Sequence, residues 1–168
     1  KMQWGKGGRD TGKEKSLPIR IGRFINKKAF SRDLRFMPIT TQSDLDALCA
    51  RLADAPWICV DTEFMRERTY YPILCLVQVC GPDRQAGAID PIAGKNLDWT
   101  SFYALLNDPG IVKVFHSGRQ DLEIFFHLTG RVPAPVFDTQ IAAMVCGHGE
   151  SVGYESIVRA VTGEKVDK

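Results

Sequence analysis

The stretch WICVDTEF, Trp57 to Phe64, closes an apolar run on two carboxylates set one residue apart. Side chains of an extended strand alternate between faces, so Asp61 and Glu63 share one face and Thr62 takes the other. Two like charges this close raise each other's pKa unless something positive sits between them. A divalent metal ion is the simplest such object. The competing reading is plain: a strand end can carry two solvated acids, and an Asp-x-Glu triplet alone does not choose between the two.

Working outward, the flanking text is regular. Thr40 or Thr41 can cap a helix over QSDLDALCARLADA, with Leu45, Leu48 and Leu52 at helical spacing and Pro56 as its stop. A strand is predicted at Trp57–Thr62, then a polar loop MRERTYYP, then strands at Ile73–Cys80 and Ala86–Ile89. A helix over Trp99–Leu106 leads to a strand at Ile111–Phe115 and a helix at Asp121–Leu128 closed by Gly130. A short strand in VPAPVFD enters a helix at Thr139–Val145, and a last helix, Tyr154–Val161, ends at Gly163. Three strands joined by tight turns suggest an antiparallel meander, and the later strand–helix alternation suggests parallel crossovers. The expected fold class is therefore α/β, a mixed sheet flanked by helices.

Bulk properties narrow the classes. With 168 residues, 44% hydrophobic and 25% charged, the chain reads as one soluble globular domain. Its longest apolar run, PILCLVQVC, is far short of the ~20 residues of a membrane span, so no membrane partner is expected. Five cysteines without a CxxC pair, and three histidines without metal-ligand spacing, argue against a disulfide framework or a zinc site and favour a cytoplasmic setting. No secretory signal is legible at the start. Residues 1–36 hold six Lys and five Arg against three acids, a net of +8, which leaves −6 for the remainder of a chain of net +2. This segment is expected to be a basic, disordered or non-native lead-in, with Met37 the natural start of a domain over 37–168. A basic arm that binds nucleic acid is the alternative.

A second acidic element, KVFHSGRQDLEIFFHLTG, runs from an apolar strand through a Ser-Gly turn into a helix beginning near Arg119. Asp121 falls in the first turn, where the helix dipole and free amides favour an acid whatever its function. Glu123 lies about 200° around the helix from Asp121 and does not share its target. Leu122, Ile124, Phe125 and Phe126 are expected in the core.

Taken together, WICVDTEFMRERTYYPILCLVQV and KVFHSGRQDLEIFFHLTGRVPAPVFDTQIAA resemble the first two motifs of the DEDD superfamily of 3′→5′ exonucleases, and within it ribonuclease D most closely. The resemblance runs from about Ile39 to the C-terminus. It implies a ribonuclease H-like fold and metal-dependent trimming of the 3′ ends of transfer RNA precursors and other structured RNAs. By resemblance, Asp61, Glu63 and Asp121 are catalytic and hold two divalent ions, Mg²⁺ or Mn²⁺. Hard cations of this kind want carboxylate oxygens. Thr62, Phe64 and Met65 match the segment that touches the terminal nucleotide, and His116 and Gln120 flank the second motif within reach of sugar or phosphate.

The family's third motif, a tyrosine four residues before an aspartate, has no counterpart: Tyr154 lacks the aspartate, and Asp167 has Gly163 where the tyrosine belongs. The expectation is thus a partial exonuclease domain, with a fragment's activity open. Helical RNA-binding domains that follow in the family are also not seen. Gln78 reads as a buried polar residue, Tyr154 as a packing residue, Asp138 in FDT as a helix cap rather than a ligand, and Arg66 and Arg68 as possible phosphate contacts. A DNA exonuclease and a non-catalytic RNA-binding domain of the same fold are the rivals, and oligomeric state is not readable.

Overall fold

The computed structural model describes residues 38–67 and 69–166. The basic lead-in, Met37, Arg68 and Asp167 lie outside the described residues.

Helix α1, Gln42–Leu52, starts where Thr41 and Asp44 cap each other: the Thr41 hydroxyl accepts from the Asp44 N–H at 3.3 Å and donates to its carboxylate at 2.7 Å. Leu45, Leu48, Cys49 and Leu52 form its buried face. The helix ends at Leu52, short of the expected Ala55. Proline at 56 disfavours the helical region for the residue before it, and the Ala55 N–H turns back to the Leu52 carbonyl at 3.0 Å.

Strands β1 (Trp57–Met65), β2 (Ile73–Cys80), β3 (Ala86–Ile89), β4 (Val112–Phe115) and β5 (Val136–Asp138) form one sheet in the order β3-β2-β1-β4-β5. The first three are antiparallel, and β4 pairs in parallel with β1 and β5. The mixed sheet matches the expectation. Among the strands the largest shift is in β1, which runs three residues past Thr62, because Phe64 and Met65 pair with Leu74 and Ile73 beyond a bulge after Glu63. Asp61 and Glu63 therefore lie inside a paired strand rather than at its end.

Helices α2 (Thr100–Asn107), α3 (Arg119–Thr129), α4 (Thr139–Val145) and α5 (Tyr154–Thr162) complete the domain. Ile58 and Val60 of β1 pack with Val77, Val79 and Ile89 of the neighbouring strands. Above them sit the α1 leucines, Phe102, Leu105 and Leu106 of α2, and Phe125 of α3. Left-handed glycines, Gly130 and Gly163, close α3 and α5 as the sequence suggested. All five cysteines are free, and burial pushes the thiols of Cys49, Cys59 and Cys80 well above the ordinary value, so these three behave as inert hydrophobes.

Lys113, in the middle of β4, is 0% exposed. Its ammonium donates to the Asp108 carbonyl at 2.7 Å and the Ala134 carbonyl at 2.5 Å, tying the end of α2 to the approach to β5. Burial lowers its pKa, partly offset by the charge of Asp108. Among the described residues, no helix is long and apolar enough to cross a membrane.

Candidate active site

The sheet itself marks the place. From β1 the chain turns to β2 on one side, whereas from β4 it crosses through α3 to β5 on the other. Beyond the carboxyl ends of β1 and β4 this divergence opens a crevice, the usual ligand position in open α/β sheets. β1 brings Asp61, Thr62 and Glu63 to it, and the β4–α3 turn brings His116, Ser117, Gly118 and Asp121.

That turn is tight for a reason. Ser117 has a left-handed φ of 58°, and a Cβ on Gly118 would lie 2.4 Å from the Phe115 Cβ. Only glycine fits there. The turn starts α3 early enough to place Asp121 in its first turn, only 8% exposed. The Thr62 N–H and hydroxyl both donate to Asp121 Oδ1, at 3.1 and 2.5 Å. Burial raises the Asp121 pKa, and the bonds from Thr62 offset that only in part; the nearby charge of Asp138 pushes the same way as burial.

Asp61 sits directly across β1–β2 from Gln78, which is half-buried rather than buried. On this face α5 supplies Tyr154. Burial raises the Tyr154 pKa first, and the charges of Cys59 and Asp61 add to it. Tyr154 also meets His116 edge-on, with centroids 5.4 Å apart. It packs, as expected, but against the site itself. His116 Nδ1 lies 2.9 Å from the Thr139 hydroxyl, whose proton goes to the Phe115 carbonyl at 3.0 Å. A hydroxyl has one proton, so Nδ1 donates to Thr139, and the ring also donates to the Val152 backbone. Burial lowers the His116 pKa, against opposing effects of Asp138 and a bond to Val152.

Asp138 is the cap that the sequence suggested. It accepts the N–H groups of Gln140 (2.8 Å) and Ile141 (3.4 Å) at the start of α4. It also accepts those of Ser117 (3.1 Å) and Gly118 (2.8 Å) in the turn. Burial acts to raise its pKa, but these four bonds win and hold it below the ordinary value. The double role, capping α4 while gripping the β4–α3 turn, was not legible in the sequence.

Other expected residues scatter. Phe64 is half-buried, Met65 is 50% exposed, and Gln120 is exposed on a cleft of about 460 Å³ with Ser117 and Arg119. Arg66 approaches Glu123 at 3.7 Å, and Arg119 bonds the same carboxylate at 3.3 Å. Phe126 is a correction: it is 54% exposed, because Ile124 and Phe125 fill the inward face of α3 and the next position faces out.

The donor set suits hard divalent ions, being carboxylate oxygens without a thiolate or imidazole cluster. No three of these acids gather into one metal-holding group among the described residues. The geometry gives the cause: Asp121 Oδ1 is turned to Thr62, the residue between Asp61 and Glu63 that points to the opposite face of β1.

Residues 36–168 match the model of a 3′-5′ exonuclease family. Ribonuclease D of Jannaschia sp. (strain CCS1) is 54% identical over 133 residues, 77% of this chain and 34% of its own. Among solved structures, Escherichia coli RNase D, described as an exoribonuclease involved in structured RNA processing, superposes with a TM-score of 0.72 at 41% identity. That match covers 79% of this chain and 35% of the other. Brucella melitensis NrnC with bound Mg²⁺ gives a TM-score of 0.59 at 29% identity, over 70% of this chain and 59% of that one. The chain spans about a third of the length of the curated relatives it matches.

Proposed function

This chain belongs to the 3′-5′ exonuclease family, whose ribonuclease H-like fold its mixed sheet carries, and on that premise we propose that it forms the catalytic centre of a 3′→5′ exoribonuclease. The substrates proposed are the 3′ ends of transfer RNA precursors and other structured RNAs. One observation carries the reading: Thr62 binds Asp121 with both its N–H and its hydroxyl. This bond pair joins the two acidic motifs, 59 residues apart in sequence, at the crevice between β1 and β4.

Asp61, Glu63 and Asp121 are the residues proposed to hold divalent ions, Mg²⁺ or Mn²⁺, two in number. The chemistry supplied by such a bound pair is activation of water and stabilisation of the departing 3′ oxygen. The chain's own groups do the rest. Thr62 is a positioning residue, since both its donors are spent on Asp121. Met65 and the half-buried Phe64 follow on β1, where an apolar or aromatic side chain can brace the terminal base. His116 lies where it contacts the sugar, and the exposed Gln120 amide donates to phosphate. Tyr154 limits water on the Asp61 face.

The test uses 5′-labelled single-stranded RNA and DNA of one sequence, with Mg²⁺ or Mn²⁺ and with EDTA. Binding of Mn²⁺ to the same protein is followed in parallel by the loss of free-ion signal. The expected result is an RNA ladder shortening from the 3′ end, abolished by EDTA and by Asp61→Ala, with Mn²⁺ binding weakened in the variant. Metal-independent cleavage, or no Mn²⁺ binding together with no digestion, would overturn the proposal. Faster DNA digestion would move the substrate class.

A further inference from the structure

Beside the crevice, on the outer surface of α3, lies a second cleft of about 590 Å³ that the mechanism leaves unused. Its walls are the segment after β1 and the last turns of α3. Tyr71 stacks flat on His127, with centroids 4.0 Å apart and planes within 14°. Tyr70 meets Tyr71 edge-on at 4.8 Å, and Phe126 forms part of the floor. These rings are exposed: Tyr70 89%, Tyr71 55% and Phe126 54%. Aromatic residues left this open and already stacked present π-faces without a core to fill.

Arg66 and Glu123 line both this cleft and the smaller one containing Ser117, Arg119 and Gln120. The two clefts therefore adjoin at the Arg66–Glu123 pair. Glu123 is flanked by Arg66 and Arg119, so the passage is net positive, which suits a phosphodiester backbone. His127 follows Asp121 by six residues on the same helix, about 9 Å along its axis. An apolar peptide would find no reason for the two arginines, and a free phosphate none for the rings. A nucleotide uses both.

We infer that the Tyr70–Tyr71–His127–Phe126 cleft is a stacking site for one unpaired base of the RNA strand, upstream of the 3′-terminal nucleotide. The inference rests on the proposed exonuclease reading and adds to it a contact distant from the acids. Because every base has a π-face, the site grips without reading sequence, and its loss weakens single-strand binding for all sequences alike.

The experiment is a fluorescence-anisotropy titration in EDTA, where RNA is bound but not cut, using a 5′-labelled RNA 12-mer. A companion set carries one abasic nucleotide at each position in turn. The expected result is a loss of about tenfold in affinity at one or two adjacent interior positions, the scale of removing one stacked base. Tyr71→Ala should weaken the intact RNA by a similar factor and erase the abasic penalty there. Tyr71→Phe, which keeps the ring, should preserve both. A flat abasic profile, or a penalty that Tyr71→Ala leaves in place, would overturn the inference. If the protein still shortens RNA from the 3′ end, that failure belongs to the cleft alone. If no RNA binds and none is digested, the exonuclease reading falls with it. Tyr71 is more than half exposed, and a thermal melt matching the wild type confirms that its variants fold.

Discussion

Two aspartates, Asp121 and Asp138, stand at the starts of neighbouring helices and follow parallel strands, yet their surroundings drive them apart. Asp138 takes four backbone N–H groups, two from its own helix and two from the β4–α3 turn, and its pKa falls. Asp121 takes two bonds from Thr62, both on one oxygen, with help from its own backbone N–H, and burial still lifts its pKa. The first carboxylate has its charge fully answered by the fold. The second is held in place with its charge less fully compensated, which supports the proposal that it holds a cation. Position at a helix start does not separate the two; the donors around each carboxylate do.

Substitution of each acid should break this comparison in opposite directions. Asp121→Asn keeps an oxygen for Thr62 and so should fold normally, while 3′→5′ digestion falls roughly 10³-fold, the scale of losing one charge-stabilising group. Single-turnover rates alongside a melt would check it. Asp138→Ala strips four N–H groups of their acceptor and should cost about 2–4 kcal/mol of stability in chemical denaturation. Thr62→Val removes one of the two bonds to Asp121 and leaves the backbone one. Metal affinity should drop roughly tenfold, as for residues that orient ligands, with ~1 kcal/mol lost in stability.

The smallest effect is the sharpest. In EDTA, the raised pKa of Asp121 means that the folded state holds this proton more tightly than the unfolded chain does. Its contribution to stability therefore declines as pH rises above the ordinary 3.8. The lowered pKa of Asp138 gives a contribution present above 3.8 and lost as pH falls through its folded value. Melts across this range should show Asp121→Asn more stable than wild type at pH 7 and Asp138→Asn less stable. Both differences should shrink in acid.

The strands and the helices were readable because alternation and leucine spacing report directly on which face is buried. Asp61 and Glu63 stand out because they interrupt an apolar strand in a pattern the family shares. What could not be read depends on contacts between distant segments. Thr62 carries no local sign that it will hold Asp121, and Asp138 shows its cap but not its grip on the turn at Ser117 and Gly118. Lys113 sits in an apolar strand, IVKVF, with nothing nearby to say that two carbonyls from elsewhere will receive its ammonium. Phe126 was misplaced because helical periodicity offers it to the core as readily as Phe125; only packing decides. β1 looked shorter than it is because its last residues are paired by β2, not by their own propensity.

The central claim is best tested on one gel. Wild type, Asp121→Asn and Asp138→Asn, at a temperature where circular dichroism shows all three folded, are given 5′-labelled RNA and Mn²⁺. The account predicts a 3′→5′ ladder from wild type and from Asp138→Asn, and none from Asp121→Asn. An active Asp121→Asn beside a silent Asp138→Asn would contradict it, because the acid that the fold keeps under-compensated would then not be the one that the chemistry uses.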